Sequence, residues 1–287
     1  MKFMKKYLNL LRVNQWIKNI TIFFPFFFAG NIIDFQIFIN LLNGFLAFSF
    51  VTSSIYVLND IIDRREDENH PIKRNRPIAS KEIKVINAGF IGFTIGWAGL
   101  GYFLIYEHEA LPFILSYIIM MILYCFFFRK ISILDVLIIS IGFVLRLFIG
   151  GEITGTIISV WIIIMVFLMA LFITFSKRRD DLINEYNQVR ESLLDYNLQF
   201  VNIVISVLVP IIIVTYILYC TSQTNILRVS EHLYLTTLFV IAGFLRYLQL
   251  VFIRNLGGDP VQLLYDDIAL KAILLSWIIT FGYLLYL

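Results

Sequence analysis

The 287-residue sequence contains little charge and almost no cysteine. Charged residues make up 15% of it, and it has two Cys, three His and six Pro. Soluble globular domains average about 25% charged residues, so this composition excludes an ordinary soluble domain. The two Cys lie in apolar runs, which excludes a disulfide framework, and the scattered His argue against a protein-held transition-metal site. A net charge of +3 is too small to indicate nucleic-acid binding.

The sequence is rich in hydrophobic residues. They make up 60% of the chain, which includes 28 Phe and 15 Tyr, and no strand alternation with turn signals appears. Because a membrane-spanning helix needs about 20 apolar residues, we expect an all-α polytopic membrane protein that forms one domain over residues 1–287. About nine spans are predicted, at Ile17–Phe35, Phe38–Leu58, Ile83–Tyr106, Leu111–Phe128, Ile133–Ile149, Ile157–Phe175, Phe200–Cys220, Leu233–Ile253 and Ile268–Leu287.

The basic residues are concentrated in alternate connections between these spans. Nineteen of the 23 Lys and Arg fall before the first span or in the loops after spans two, four, six and eight. Residues 1–19 are basic and amphipathic without a cleavage site, which predicts an interfacial segment rather than a signal peptide. By the positive-inside rule, the N-terminus and the motif loops 59–82 and 176–199 face the cytoplasm, as in an integral protein of a bacterial cytoplasmic membrane.

Acidic residues follow the second span without a break. If the helix continues at about 100° per residue, Asp60, Asp63 and Asp67 lie on one face. Three carboxylates on one face repel one another unless a cation lies between them, and Mg²⁺ prefers such oxygen ligands and is often shared with substrate phosphates. The alternative is a solvated helix end. We predict that these three residues bind Mg²⁺.

A basic return segment comes directly after the carboxylates. Pro71 and Pro77 end the helix and stiffen the chain, which would hold Lys73, Arg74 and Arg76 near the acidic face. A metal-carboxylate cluster beside a cation cluster predicts a diphosphate site. In this interpretation Asp60, Asp63 and Lys73 are catalytic, and Asn59 orients a ligand.

Two further motifs have strong structural alternatives. Lys177 and Asp181 are one turn apart and can pair on one helix face, but a basic cluster such as Lys177–Arg178 also marks the end of many spans. Lys18 and Asn19 follow a tryptophan at the start of the first span, which is the ordinary pattern of an interface anchor.

Charged residues also occur inside or beside the predicted spans. Asp135 and Arg146 are close to three turns apart, and an intramembrane charge is a functional candidate by default. Neutralisation by Arg246 or a neighbouring Asp is the alternative. Residues 257–260 read as a helix stop, and Asp267 soon after could face either water or the carboxylate cluster.

The stretch NDIIDRREDENHPIKRNRPIA at residues 59–79 resembles the first aspartate motif of the UbiA superfamily of intramembrane prenyltransferases. Its extended form is similar to the decaprenyl-phosphate phosphoribosyltransferase branch. Residues 15–19, Arg146–Gly151, Lys177–Arg178 and 257–260 followed by Asp267 resemble that branch in the same order. In most superfamily members that use prenyl diphosphates, a second DxxxD motif stands near residues 177–181, whereas here Lys177 replaces its first Asp.

The resemblance implies a Mg²⁺-dependent transfer of 5-phosphoribose from phosphoribosyl pyrophosphate (PRPP) to a long-chain polyprenyl phosphate, releasing pyrophosphate. It implies a UbiA-like helical bundle in the bilayer, with homo-oligomerisation left open. The substrate-binding residues it implies are Lys18, Asn19, Asn59, Arg74, Arg76, Tyr124, Arg146, Lys177, Arg178, Asp181 and Asp267.

Two other functions remain open from the sequence. A prenyltransferase that moves a polyprenyl group from its diphosphate to a small acceptor shares the fold and the metal. A transporter would use Arg146 and Arg246 as part of a pathway, but no internal repeat is visible and the polar residues concentrate on one face of the membrane.

Overall fold

The computed structural model describes residues 2–28, 34–69, 71, 73–183, 191–254, 256 and 260–286. Over these residues the chain is helical and contains no strand. The α-helices are α1 Lys2–Leu10, α2 Phe24–Phe28, α3 Phe35–Ile62, α4 Arg64–Asn69, α5 Val85–Tyr106, α6 Leu111–Phe126, α7 Leu134–Thr154, α8 Val160–Ile183, α9 Leu198–Thr221, α10 Gln223–Arg228, α11 Thr237–Phe252, α12 Pro260–Asp266 and α13 Ile268–Tyr286. Short 3₁₀ helices are found at Lys73–Asn75, His108–Ala110, Phe128–Lys130, Glu191–Asp195 and Leu233–Thr236, and a longer one at Val13–Phe23.

Eight of the described helical segments are long and apolar enough to cross a membrane. They correspond to the second to ninth predicted spans, so the all-helical polytopic fold is confirmed. The count of nine is not. The predicted first span, 17–35, is divided between the 3₁₀ helix Val13–Phe23 and the five-residue α2, and residues 29–33 lie outside the described part.

Two side chains fix where long helices begin. Asp34 precedes α3 and accepts hydrogen bonds from the backbone N–H groups of Gln36 and Ile37. Asn197 precedes α9 and accepts from the N–H of Phe200. Because the first N–H groups of a helix have no partner inside it, such caps stabilise a helix start by about 1 kcal/mol.

The chain divides into two compact units. Unit 1 comprises Met1–Arg129 with Ile141–Ile158, and unit 2 comprises Lys130–Ser140 with Ser159–Leu287. The division passes through α7, whose first seven residues belong to unit 2. Each unit has its own packing.

In unit 1, a glycine face of α5 packs closely against α3. A Cβ atom added at Gly99 would lie 2.4 Å from the carbonyl oxygen of Ala47, and one at Gly96 would lie 2.6 Å from Oγ of Ser54. Gly92 meets Val57 in the same way. Small residues at such spacing let two membrane helices approach until their backbones touch, so these glycines set the α3–α5 distance.

In unit 2, an apolar cluster joins the start of α7 to α8, α9 and α11. Val136 of α7 is fully buried, and so are Val201 and Ile205 of α9. Phe172 of α8 packs edge-on against the rings of Phe244 and Tyr247 in α11, with centroids 5.3 and 4.9 Å apart. The aromatic contacts add specific geometry to the packing of α8 on α11.

Gly99→Ala is expected to destabilise the protein because the new methyl group has no space against the α3 backbone. Overpacking of this kind costs about 1–3 kcal/mol. Gly101, two residues along α5, has open space around it, so Gly101→Ala should be neutral or slightly stabilising. Thermal unfolding of the detergent-solubilised protein measures both. Equal melting temperatures for the two variants would contradict the close approach.

Candidate active site

The aspartate motif lies at a break between two helices. α3 ends at Ile62, Asp63 occupies the junction with φ −82° and ψ 0°, and α4 begins at Arg64. The expectation of one continuous helix through residue 67 is therefore wrong. The three carboxylates fall into two groups with different partners: Asp60 and Asp67 share one arginine, and Asp63 pairs with another.

Asp60 and Asp67 share one arginine. Nη1 of Arg76 donates to Oδ1 of Asp60 at 3.1 Å and to Oδ2 of Asp67 at 2.6 Å. Arg12 forms a second ion pair with Oδ1 of Asp60. Both carboxylates are 2% exposed, and burying a charge is costly unless it is paired and hydrogen-bonded. The basic return segment predicted to approach the carboxylates does so through Arg76.

Asp63 has a different partner from further along the chain. Its Oδ1 pairs with Arg129, which follows α6, and its Oδ2 accepts a 2.9 Å hydrogen bond from Nδ2 of Asn59. Asn59, in the last turn of α3, therefore orients the carboxylate of the junction residue Asp63. The hydrogen bond and charge of Asp63 raise the pKa of Arg129 against the opposing effect of burial.

The metal prediction is only partly matched by the geometry. No group of three His, Cys, Asp or Glu side chains comes together as ion ligands within the described ranges. The ion pairs of Asp60 and Asp67 use one oxygen each, which leaves Oδ2 of Asp60 and Oδ1 of Asp67 without a hydrogen bond among the described residues. Two carboxylate oxygens held near one guanidinium suit a hard cation such as Mg²⁺, which commonly uses one or two protein carboxylates together with water and substrate phosphates.

The other two cations of the return segment, Lys73 and Arg74, differ in their exposure. Lys73 begins a 3₁₀ turn, is half-buried, and its charge acts on Asp67. Arg74 is exposed to solvent. Burial raises the pKa of Asp67, whereas the charge and hydrogen bond of Arg76 and the charge of Lys73 oppose that rise. The structure thus places Lys73 and Arg76 beside the carboxylates and leaves Arg74 at the surface.

Two of the arginines in this cluster were not among the predicted site residues. Arg12 and Arg129 are separated in sequence from their aspartates by 48 and 66 residues. The one signal in the sequence was their position, since both belong to the basic connections on the same predicted face of the membrane as the motif. Position alone could not show which carboxylate each would meet.

The N-terminal segment is attached to α3 by a series of polar contacts. Oγ of Ser53 donates to the carbonyl oxygen of Leu11 at 2.7 Å and accepts from Nε1 of Trp16 at 3.0 Å. Arg12 has a left-handed backbone with φ 50°, and its guanidinium lies over the ring of Tyr56, 5.1 Å from the centroid. A non-glycine residue rarely adopts this conformation unless its surroundings compensate the strain. The attachment therefore directs Arg12 onto Asp60.

Asn19, further along the N-terminal segment, forms a buried hydrogen bond with Arg146 of α7. Nδ2 of Asn19 donates to hydroxyl groups of Ser49 and Thr52 in α3, and its Oδ1 accepts from Nε of Arg146 at 2.9 Å. Asn19 is 1% exposed, and each polar atom of its side chain has a partner. The amide therefore joins the N-terminal segment to α3 and α7, and its predicted role in substrate binding stays a prediction.

Arg146 carries a buried charge among neutral partners. Its other guanidinium nitrogens donate to the carbonyl oxygen of Gly142 and to the hydroxyl of Tyr117, and the rings of Tyr117, Phe48 and Phe143 lie 4.8–5.5 Å from it. It pairs with no carboxylate in the part of unit 1 that the structure describes. Cation–π contacts and hydrogen bonds thus hold this charge. The alternative of a neighbouring Asp as the partner of Arg146 is not found among the described residues of unit 1.

In unit 2, a second buried cluster surrounds Arg178. Its Nε and Nη2 lie 2.9 and 2.8 Å from Oδ2 of Asp135, and its Nη1 lies 3.3 Å from Asp181. The hydroxyl of Tyr196 donates to the other oxygen of Asp135 at 2.9 Å. Arg178 and Asp135 are 1% and 0% exposed. The predicted partner of Asp181 was Lys177, whereas the structure shows Arg178 beside Asp181 and Asp135 as the acid that neutralises Arg178.

Asp267 pairs within unit 2 as well. Nη2 of Arg246 lies 2.6 Å from its Oδ2, and this hydrogen bond lowers the pKa of Asp267. Among the other predicted site residues, Lys18 is half-buried in the 3₁₀ helix of unit 1, Tyr124 is buried in α6, and Lys177 is exposed near the end of α8. Residues 257–259 of the predicted helix stop lie outside the described part of the chain.

Substitution of Asn19 is expected to destabilise the protein, whereas substitution of Asn14 in the same 3₁₀ helix is not. Asn19→Ala removes three hydrogen bonds and leaves Nε of Arg146 buried without an acceptor, which should cost about 1–3 kcal/mol. Asn14 lies exposed in the same 3₁₀ helix, so Asn14→Ala is the matched control and should leave the melting temperature unchanged. Equal effects of the two substitutions on thermal unfolding would show that the junction contributes nothing.

Comparison with known proteins gives a consistent family assignment. Residues 19–262 match the model of the UbiA prenyltransferase family. The decaprenyl-phosphate phosphoribosyltransferase of Corynebacterium glutamicum is 28% identical over 284 residues, which cover 94% of this chain and 84% of that protein. The uncharacterized protein y4nM of Sinorhizobium fredii is 33% identical over 175 residues, but these cover 61% of this chain and only about a third, 34%, of that protein.

A solved structure shows the same fold. A UbiA homolog from Archaeoglobus fulgidus, determined with GPP and Mg²⁺ bound, superposes with a TM-score of 0.71 over 98% of this chain and 99% of its own, at 17% sequence identity. At this identity the match concerns the fold.

Proposed function

Because the chain belongs to the UbiA prenyltransferase family, an integral-membrane family of transferases, we propose that it transfers 5-phosphoribose from PRPP to a long-chain polyprenyl phosphate. Decaprenyl-phosphate phosphoribosyltransferases that align over most of the chain support the choice of donor and acceptor. The observation that carries the proposal is the cluster of three aspartates and three arginines at the end of α3.

The cluster offers groups of both signs to a diphosphate. We assign Asp60, Asp63 and Asp67 to a Mg²⁺ ion, a choice supported by the Mg²⁺ in the Archaeoglobus structure. When bound, the ion would offset the negative charge that develops on pyrophosphate as it leaves. The side chains of Arg12, Arg76 and Arg129 are 15–24% exposed, and each guanidinium has further N–H groups to offer to phosphate oxygens.

The reaction requires no general base from the protein. An oxygen of the polyprenyl phosphate forms the new bond to C1 of the ribose, and the bond from C1 to the pyrophosphate oxygen breaks with its electron pair. The acceptor phosphate is already an anion at neutral pH, so it loses no proton in this step. The work of the protein is to orient the two substrates and to stabilise the charge on the leaving group.

The remaining assignments rest on the resemblance. Lys73, beside Asp67, would contact the transferred group or the diphosphate. Lys18, Asn19, Arg74, Tyr124 and Arg146 in unit 1, and Lys177, Arg178, Asp181 and Asp267 in unit 2, are proposed substrate contacts. Among these, Asn19, Arg146, Arg178 and Asp267 already have the side-chain partners described above.

We also propose that the N-terminus and the aspartate cluster face the cytoplasm. The basic connections support this orientation by the positive-inside rule. A water-soluble, highly charged donor such as PRPP would then reach the cluster from the cytoplasm, and the lipid acceptor would approach from the bilayer.

A prenyltransferase acting on a prenyl diphosphate is the second candidate. The solved homolog that shares the fold contains GPP and Mg²⁺, so the same carboxylates could serve a diphosphate that is attached to the prenyl chain. The two functions differ in which substrate carries the diphosphate.

A donor assay on the purified full-length protein separates the two functions. With Mg²⁺, radiolabelled PRPP and polyprenyl phosphate, we expect label in the lipid fraction, and we expect chelation of the metal by EDTA to abolish the transfer. Transfer from a labelled prenyl diphosphate to a small acceptor, with none from PRPP, would contradict the proposal.

Asp60→Asn provides the variant for this assay. It keeps the shape of the side chain but removes the charge that holds Arg12, Arg76 and the metal, and it should lower the rate on the order of 100-fold or more. Glu82→Gln, an exposed acid from the same loop, is the control and should retain the rate of the unsubstituted protein. Full activity of the Asp60 variant would show that this aspartate has no role in the reaction.

A further inference from the structure

A basic groove lies at the membrane end of α3 and α5, apart from the carboxylate cluster. Its volume is about 470 Å³, and its cationic lining residues are Arg64, Arg65, Lys81 and Lys84, with Glu68 as the one acid. α3 ends at Ile62 and α5 begins at Val85, and both are candidate membrane spans. The groove therefore lies where two spans leave the bilayer.

The four cations of the basic groove have no ion pair within the residues that the structure describes. By contrast, each of three other arginines of the same unit forms an ion pair with an aspartate; these are Arg12, Arg76 and Arg129. Four like charges around one groove repel one another, and one glutamate does not balance them. An anionic ligand would relieve that repulsion.

The floor of the basic groove is apolar. Ile78 and Ile83 line it and are 2% and 5% exposed. They belong to a packed cluster with Leu10, Val57 and Ala88. A cationic rim over an apolar floor suits an amphiphile better than a free phosphate ion, because both parts of the ligand then find a complementary surface.

An apolar stripe continues from the basic groove along α5. Ile86, Phe90, Phe93 and Trp97 recur at spacings of four, three and four residues, so they lie on one face of the helix, and all four are exposed. The stripe begins directly after Lys84 and Val85, which line the groove. The glycine face that packs on α3 lies on a different side of the same helix. A lipid with its headgroup in the groove can therefore place its chain along this stripe.

The basic groove and the carboxylate cluster use different faces of α4. Asp67 is buried toward Arg76, whereas Arg65 and Glu68, on either side of it in sequence, are exposed. No residue that lines the groove makes a hydrogen bond or ion pair with the three aspartates in the described structure. A phosphate in the groove would thus be distinct from the phosphate groups that react.

We propose that the basic groove binds the headgroup of an anionic phospholipid from the surrounding bilayer, with an acyl chain along the α5 stripe. Each Lys or Arg near a membrane surface strengthens attachment to anionic lipid. The bound lipid would fix the return segment, which carries Arg76 and Lys73, against the membrane. This site lies outside the proposed transfer reaction and does not depend on it.

Native mass spectrometry of the purified full-length protein tests the proposal. The probes are dioleoylphosphatidylglycerol, its zwitterionic phosphatidylcholine counterpart and polyprenyl phosphate. We expect preferential retention of phosphatidylglycerol, weakened on the order of tenfold by the double substitution Arg65→Gln with Lys84→Gln. The exchange Arg65→Lys with Lys84→Arg keeps both charges and should keep the affinity.

A matched control distinguishes the basic groove from net charge. Arg254 and Lys271 of unit 2 are exposed and have no described ion pair, so Arg254→Gln with Lys271→Gln removes the same charge elsewhere and should leave phosphatidylglycerol binding unchanged. Equal losses in the groove and control variants would overturn the proposal. So would a groove variant that loses polyprenyl phosphate but retains phosphatidylglycerol, because the groove would then serve the acceptor. Unchanged melting temperatures in lipid-free detergent establish that the variants fold.

Discussion

Arginines from distant parts of the chain form ion pairs with carboxylates that are buried in α3 and α4. Asp60 and Asp67 are almost fully buried, and removing one partner of such a pair costs about 3–5 kcal/mol because the other charge is left unpaired. Arg12 from the N-terminal segment and Arg76 from the return segment after α4 pair with these two acids, and Arg129 from the connection after α6 pairs with the nearby Asp63. These ion pairs therefore fix three connections of unit 1 around one group of acids.

Buried cations elsewhere in the chain are held in other ways. Arg146 in unit 1 has neutral hydrogen-bond acceptors and three aromatic rings, whereas Arg178 in unit 2 pairs with the buried Asp135. Charge inside a membrane-spanning segment is costly and must be offset by local partners. The unpaired cations of the basic groove are different because they lie at the ends of spans, where lipid headgroups can pair with them.

The sequence predicted the spans well because each is a long apolar run, and the structure has helices for eight of them. It could not predict the 3₁₀ geometry of residues 13–23, since hydropathy does not distinguish helix types. The break at Asp63 was missed for a related reason, because the residues around it suit a helix. Asp60, Asp67 and Arg76 were predicted together from local spacing, whereas Arg12 and Arg129 come from too far away for spacing to identify them.

The central claim is that this carboxylate and arginine cluster holds the diphosphate of the donor through a divalent cation. A density map of the protein determined with PRPP and Mg²⁺ tests it most directly. We expect an ion contacting the carboxylates of Asp60 and Asp67, with the donor's diphosphate beside it. Well-ordered PRPP bound elsewhere, with no ion at these aspartates, would contradict it.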